Sequence, residues 1–251
     1  MPSNTRTPAA VPRSRRALLR TAVAGTAAAG AGLALGSAFP ASAAPRDADA
    51  DTEAAGRVTT PAQALRRLAA GNQRWRTRRQ EHPHESVYLR RRLVAGQHPF
   101  AVVLGCVDSR VPPELVFDQG LGDLLTVRSA GEVLDEAVLG SIAYGVLELR
   151  VPLVLVLAHQ SCGAVAAAVH ADETGEPLPA HIRYLADQIR PSIDHGQHGD
   201  ARVDATINAH VREVRRRLAA EPDLAGKVAA GELAVVAARY ELRDQQVRTL
   251  S

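Results

Sequence analysis

The stretch Pro99–Arg110, which reads PFAVVLGCVDSR, decides how this chain folds and where its chemistry lies. Its apolar run over residues 100–104 is rich in Val, which is typical of a strand buried on both faces of a parallel sheet. A thiol, a carboxylate and a guanidinium follow directly, at Cys106, Asp108 and Arg110. Because open parallel sheets carry their chemistry just beyond the carboxyl ends of the strands, the stretch predicts a site at that edge.

A second segment of the chain repeats this layout. The apolar run VPLVLVLA over residues 151–158 is followed at once by His159, and Cys162 comes three residues later. The chain contains two cysteines, and each follows one of its two most apolar predicted strands. The two segments meet at one site if their strands are neighbours in the sheet.

Strand and helix patterns alternate along the rest of the chain. Thr60, a capping residue, and Pro61, at the first helical position, begin the helix that precedes the first strand. This alternation predicts an α/β fold with a four-stranded, mainly parallel sheet flanked by helices. The predicted strands cover residues 100–105, 124–127, 153–158 and 233–240.

The N-terminus has the three parts of an export signal in the right order. Residues 14–20, SRRALLR, carry a twin-arginine pattern, residues 21–39 form a weakly apolar run, and residues 41–43, ASA, match an A-x-A cleavage site. We therefore predict a twin-arginine signal peptide over residues 1–43, contact with the export machinery during secretion, and a periplasmic or extracellular location. A poorly ordered basic tail is the alternative.

The rest of the chain divides into a linker and a domain. Residues 44–60 have low hydrophobicity and predict a flexible linker, and residues 61–251 predict one folded domain. The run over residues 21–39 is too poor in Leu and Ile to predict a stable membrane anchor.

The formal net charge of +3 does not indicate a nucleic-acid partner. Five of the 30 Lys and Arg residues lie within residues 1–43, which contain no acidic residue. Residues 44–251 therefore hold 25 basic and 27 acidic residues, and this part of the chain is close to neutral.

The residue types at the predicted site are ligands that zinc prefers, namely thiolate sulfur and imidazole nitrogen. Catalytic zinc sites use three protein ligands and leave a fourth position for water, and Cys106, His159 and Cys162 supply such a set. Three alternatives stay open. They are a closed structural zinc site with a further His, a disulfide of the kind that export allows, and two unrelated buried thiols.

Both motifs resemble a known family. C-x-D-S-R at Cys106–Arg110 and H-x-x-C-G at His159–Gly163 are similar to the two signature motifs of β-class carbonic anhydrases. The intervening segment over residues 122–131, GDLLTVRSAG, is also similar to that family. The likeness extends from Thr60 to Tyr240. One difference is that the family pattern R-N-A-G-N is RSAGE over residues 128–132, so that both amide side chains are replaced.

The resemblance implies a catalytic domain over residues 61–251 that converts CO2 and water to bicarbonate and a proton, reversibly. It implies one Zn2+ per chain, bound by Cys106, His159 and Cys162. It also implies a homodimer or a larger homo-oligomer, in which the N-terminal helix clasps the partner subunit.

Asp108 and Arg110 are the predicted catalytic pair. Zinc brings the pKa of a bound water to about 7, and the Asp108 carboxylate is expected to accept the remaining proton and orient the nucleophile. A charge-assisted pair with Arg110 keeps that carboxylate ionised and off the metal. Without the pair, Asp108 becomes the fourth ligand of a closed state. A surface ion pair of little energetic value is the alternative.

Two other functions fit the same residues. A hydrolase that acts on carbonyl sulfide or carbon disulfide needs the same metal centre and the same small apolar pocket. A non-catalytic exported protein that binds zinc, or that is stabilised by a disulfide, needs only the Cys and His residues.

Overall fold

The structure, a computed structural model, describes residues 57–251. Within these residues, five strands form one sheet in the order β2-β1-β3-β4-β5. The strands are β1 (Ala101–Gly105), β2 (Leu124–Arg128), β3 (Leu153–His159), β4 (Ala234–Tyr240) and β5 (Val247–Leu250).

Strands β1 to β4 are parallel, and β1 lies between β2 and β3. Parallel neighbours need a long crossover, and helices on both faces of the sheet supply it. In the register, Gly105 is opposite Leu157 of β3 and opposite Arg128 of β2. The carboxyl ends of the two strands that precede Cys106 and His159 are therefore adjacent, as the site requires.

Eight α-helices connect and cover these strands in the described part of the chain. The first begins with a capping box, in which the Thr60 side chain accepts from the Gln63 amide. The helices are α1 (Pro61–Arg76), α2 (Val87–Arg92), α3 (Pro113–Val116), α4 (Glu136–Leu147), α5 (Gly163–Thr174), α6 (Ala180–Ile189), α7 (Gly199–Ala220) and α8 (Pro222–Ala229).

The central strands are buried on both faces, so alternate side chains enter two different cores. Val102 and Val154 point to the larger core, which α4 to α8 cover. Val103 and Leu155 point to the smaller core, where α1 packs through Leu68. A strand of this kind has no polar face, which is why β1 and β3 read as continuous apolar runs.

The prediction of an α/β fold with a mainly parallel sheet flanked by helices is confirmed, but the sheet has a fifth strand that the pattern did not predict. Strand β5 runs antiparallel to β4 and is its neighbour at the edge of the sheet. It has four residues, VRTL, which carry no apolar run and too few positions to show an alternation. Its structure depends on pairing with β4, which local sequence does not encode.

The predicted signal peptide over residues 1–43 and most of the predicted linker lie outside the described residues. Among the helices of residues 57–251, none is both long and apolar enough to span a bilayer.

Two helical glycines give a test of how tightly α1 packs. A Cβ on Gly71 would overlap the carbonyl oxygen of Phe117, whereas a Cβ on Gly140 in α4 would meet no atom within 4 Å. We expect Gly71→Ala to lower the free energy of unfolding by about 1–3 kcal/mol. The matched change Gly140→Ala should raise it by about 0.5–1 kcal/mol, because alanine favours a helix. Chemical denaturation measures both, and equal effects would contradict the packing described for α1.

Candidate metal centre

Three side chains meet where β1 and β3 end. Cys106 follows β1 directly, His159 is the last residue of β3, and Cys162 is the N-cap of α5. Their ligand atoms all lie within 4.8 Å of one another, and each residue is buried. The structure therefore brings together the three residues that the sequence predicted as metal ligands.

The donor set and its spacing fit Zn2+. Two sulfurs bound to one tetrahedral zinc, each at about 2.3 Å, would be separated by about 3.8 Å. The sulfurs of Cys106 and Cys162 are 4.0 Å apart. That distance is about twice the length of a disulfide bond, and both cysteines are free. The geometry thus matches the metal site rather than the disulfide alternative.

His159 presents a lone pair to the two sulfurs. Its Nδ1 lies 2.9 Å from the carbonyl oxygen of Gln160. A carbonyl can only accept, so the proton is on Nδ1 and Nε2 is the free acceptor. Nε2 is fully buried and finds no hydrogen-bond donor or acceptor among residues 57–251. A buried imidazole nitrogen that has no hydrogen-bond partner and lies beside two sulfurs is typical of a metal ligand.

The two thiols differ in their pKa values. The hydrogen bond from Cys162 lowers the pKa of Cys106 to about 4. The same contact, together with burial, raises the pKa of Cys162 above its ordinary value. Cys106 is therefore the more acidic of the two thiols, and metal binding requires that both lose their protons.

Asp108 and Arg110 form a close pair beside this group. Nε and Nη2 of Arg110 donate to the two carboxylate oxygens of Asp108 at 2.9 and 2.7 Å. This guanidinium holds the pKa of Asp108 at about 2, so that the carboxylate is ionised at neutral pH. Asp108 Oδ2 lies 3.8 Å from His159 Nε2, and Asp108 is not one of the three clustered ligands.

Arg128 is a site residue that the sequence did not single out. At the end of β2, its Nε donates to the carbonyl oxygen of Cys106 at 2.8 Å, and its Nη2 donates to that of Asp108 at 2.6 Å. One side chain thus fixes the backbone at a candidate metal ligand and at Asp108. Its partners are 20 and 22 residues away in sequence, so the family-like segment was the only signal that could have pointed to it.

The turn after β2 borders the site. It contains Ser129 and Glu132, which replace the two amide residues of the family pattern. Ser129 Oγ donates to the Val133 carbonyl at 2.7 Å and closes the turn. The backbone amide of Gly131 donates to Cys106 Sγ at 3.4 Å. Glu132 is buried, and its burial and the Cys106 charge raise the pKa of this carboxyl well above its ordinary value. The neutral form of this carboxyl is therefore favoured at a position where the family pattern has an amide.

The fold and the buried Cys–His–Cys group together define an α/β metalloenzyme. A family model described as carbonic anhydrase matches residues 101–247. Carbonic anhydrase 2 of Mycobacterium tuberculosis is 45% identical over 188 residues, which cover 74% of this chain and 91% of that protein. The carbonic anhydrase of Mycolicibacterium smegmatis is 43% identical and covers 77% of this chain and 95% of its own length.

Two solved structures of β-carbonic anhydrases have a fold similar to that of this chain. The β-carbonic anhydrase CafA of Aspergillus fumigatus superposes with a TM-score of 0.60 at 27% identity, over 72% of this chain and 88% of CafA. A tetrameric β-carbonic anhydrase of Sordaria macrospora has the same fold, with a TM-score of 0.61 at 19% identity, over 74% and 96% of the two chains. The chain belongs to the β-class carbonic anhydrase family.

The state of the two sulfurs gives a direct test of the site. We expect two reactive thiols per chain when the full-length protein is denatured with a chelator and without reductant, because both cysteines are free. Titration with a thiol-specific chromophore measures this number. Cys162→Ser is the control and should leave one reactive thiol, whereas a disulfide in the original chain would leave none.

Proposed function

We propose that this protein catalyses the reversible hydration of CO2 to bicarbonate and a proton, with one Zn2+ held by Cys106, His159 and Cys162. The observation that carries this proposal is the buried group of two sulfurs and an unpartnered imidazole nitrogen within 4.8 Å. Membership of the carbonic anhydrase family supports the choice of CO2 as the substrate.

Bound Zn2+ would supply acidity, since it brings the pKa of a coordinated water to about 7. The task left to the protein is to orient the nucleophile. Asp108 is suited to it because its carboxylate is ionised and lies 3.8 Å from His159 Nε2, at the side of the metal group. Its Oδ2 accepts a hydrogen bond from the attacking oxygen and thereby directs a lone pair at the CO2 carbon.

Arg110 acts through Asp108. It donates to both carboxylate oxygens, and its Nη2 also reaches the Ser161 carbonyl at 3.3 Å, next to Cys162. This bidentate ion pair keeps the carboxylate oriented toward the guanidinium. Without it, Asp108 would be free to approach a bound cation as a fourth ligand, which would close the site.

The proposal includes a homodimer or a larger homo-oligomer. Several large apolar side chains are exposed on the described residues, among them Val107 beside the metal ligand Cys106, and Leu115, Leu121 and Tyr144. Strand β2 is an open edge of the sheet. Exposed apolar surface next to an unpaired strand edge is typical of a surface that another subunit covers.

We also propose that the chain is exported by the twin-arginine route to a periplasmic or extracellular location. The support is the order of the twin-arginine pattern, the weakly apolar run and the cleavage site within residues 1–43. This route moves folded proteins, which suits a protein that acquires its metal before it leaves the cytoplasm.

Removing the Asp108 carboxylate tests the mechanism. We expect full-length Asp108→Ala to retain one Zn2+ per chain but to lose about 10²–10⁴-fold in kcat, because no group orients the nucleophile. Stopped-flow CO2 hydration and metal analysis measure the two quantities. Asp187→Ala, which removes a surface carboxylate paired with Arg190, is the matched control and should change neither.

Three outcomes would contradict the proposal. Undiminished turnover by Asp108→Ala would remove the role of the carboxylate. CO2 hydration that survives chelation of zinc would remove the role of the metal. Faster turnover of carbonyl sulfide than of CO2 by the original protein would assign a different substrate to the same site.

A charge-conserving change tests export. The twin arginines are Arg15 and Arg16, and we expect the double substitution to lysine to leave the full-length protein in the cytoplasm, since the route recognises the arginine pair. Cell fractionation measures the distribution. Arg6→Lys, outside the motif, is the control and should be exported normally. Normal export of the double variant would refute the signal assignment.

A further inference from the structure

A buried histidine outside the ligand set contacts the turn that borders the metal centre. His210 lies on α7 and is only 2% exposed. The positions around it on that helix face are apolar, with Ile207, Val211 and Val214 packed into the larger core. His210 Nε2 lies 2.8 Å from the carbonyl oxygen of Gly131, 79 residues away in sequence.

The protonation of His210 follows from this contact. A carbonyl oxygen only accepts, so Nε2 carries the proton and donates it to Gly131. Burial lowers the pKa of His210, and the ring is therefore neutral. Nδ1 is buried and meets no partner in the part of the chain that the structure describes. An unsatisfied buried nitrogen is destabilising, and an apolar side chain at this position would avoid that cost.

Gly131 is held from several sides. Its backbone has φ +65°, and an added Cβ would come within 3.0 Å of Ile189 and 3.2 Å of Ala164. The next residue, Glu132, also has a positive φ of 53°. Two successive left-handed residues, one of them not glycine, need outside support. The hydrogen bond from His210 supplies that support to the peptide that joins them.

We propose that His210 is a positioning residue for the metal centre, which holds the Gly131 turn so that its amide donates to Cys106 Sγ. That amide lies 3.4 Å from the sulfur. A hydrogen bond to a ligating thiolate delocalises its charge and fixes its direction, and loss of such outer contacts weakens metal binding by about 10–100-fold. This inference rests on the proposed zinc site and adds a residue to it.

Two conservative variants separate positioning from packing. In His210→Gln the amide nitrogen is as far from Cα as Nε2 is, and it can still donate to Gly131. In His210→Asn the amide is one bond shorter and cannot reach the carbonyl. We expect the Kd for Zn2+, measured on the full-length metal-free chain against a chromophoric chelator, to rise about 10–100-fold in the Asn variant. The Gln variant should retain the original Kd.

A second readout follows the thiolate itself. The absorption of the Co2+-loaded protein in the sulfur-to-metal charge-transfer region should shift in His210→Asn and not in His210→Gln. Val214→Ala, which makes a cavity on the same face of α7 and removes no hydrogen bond to the turn, is the control. It should lower thermal stability while the Kd and the absorption stay unchanged. His210→Leu replaces the Asn variant if that variant does not fold.

The outcomes distinguish the two proposals. If the original chain binds no zinc, the proposed function is wrong and this inference is wrong with it. If the original chain binds zinc and His210→Asn or His210→Leu binds it equally well, only the role of His210 is wrong. Weakening of zinc binding by Val214→Ala to the same degree would also overturn that role, because a general loss of packing would then explain it.

Discussion

The parallel pairing of β1 with β3 is the constraint on which the metal centre depends. Cys106 and Cys162 are 56 residues apart, and neither segment can build the site alone. With Gly105 opposite Leu157 in the register, the residues that follow each strand emerge side by side. The strands are buried on both faces by two separate cores, so a shift of register by one residue would send each side chain into the opposite core and disrupt the packing of both.

Around this junction, the surrounding elements position both the backbone and the ligand side chains. Arg128 holds the carbonyls of Cys106 and Asp108, and the Gln160 carbonyl sets the tautomer of His159. The Gly131 amide reaches the Cys106 sulfur. These contacts come from β2, the end of β3 and the turn before α4, so the three ligands are restrained from several directions before any cation binds. Such restraint is what a precise metal geometry needs.

The electrostatics of the site separate two kinds of carboxyl group. Asp108, paired with a guanidinium, stays ionised, whereas Glu132, buried beside the Cys106 sulfur, favours the neutral form. The difference arises from environment alone, as the two side chains carry the same functional group. A single anion is thereby kept at the edge of the metal group, and further negative charge is kept away from the two sulfurs.

The sequence by itself determined the two apolar strands and the Cys, His, Asp and Arg residues that follow them, because each of these features lies within a short run of neighbouring residues. The tertiary structure decided which strands are neighbours, that β5 joins the sheet, and that Arg128 and His210 contact the site. Local patterns record burial and turn chemistry, and they do not record partners that are 20 to 79 residues away. A lone histidine on an apolar helix face looks the same whether it fills space or holds a turn, and only its partner distinguishes the two.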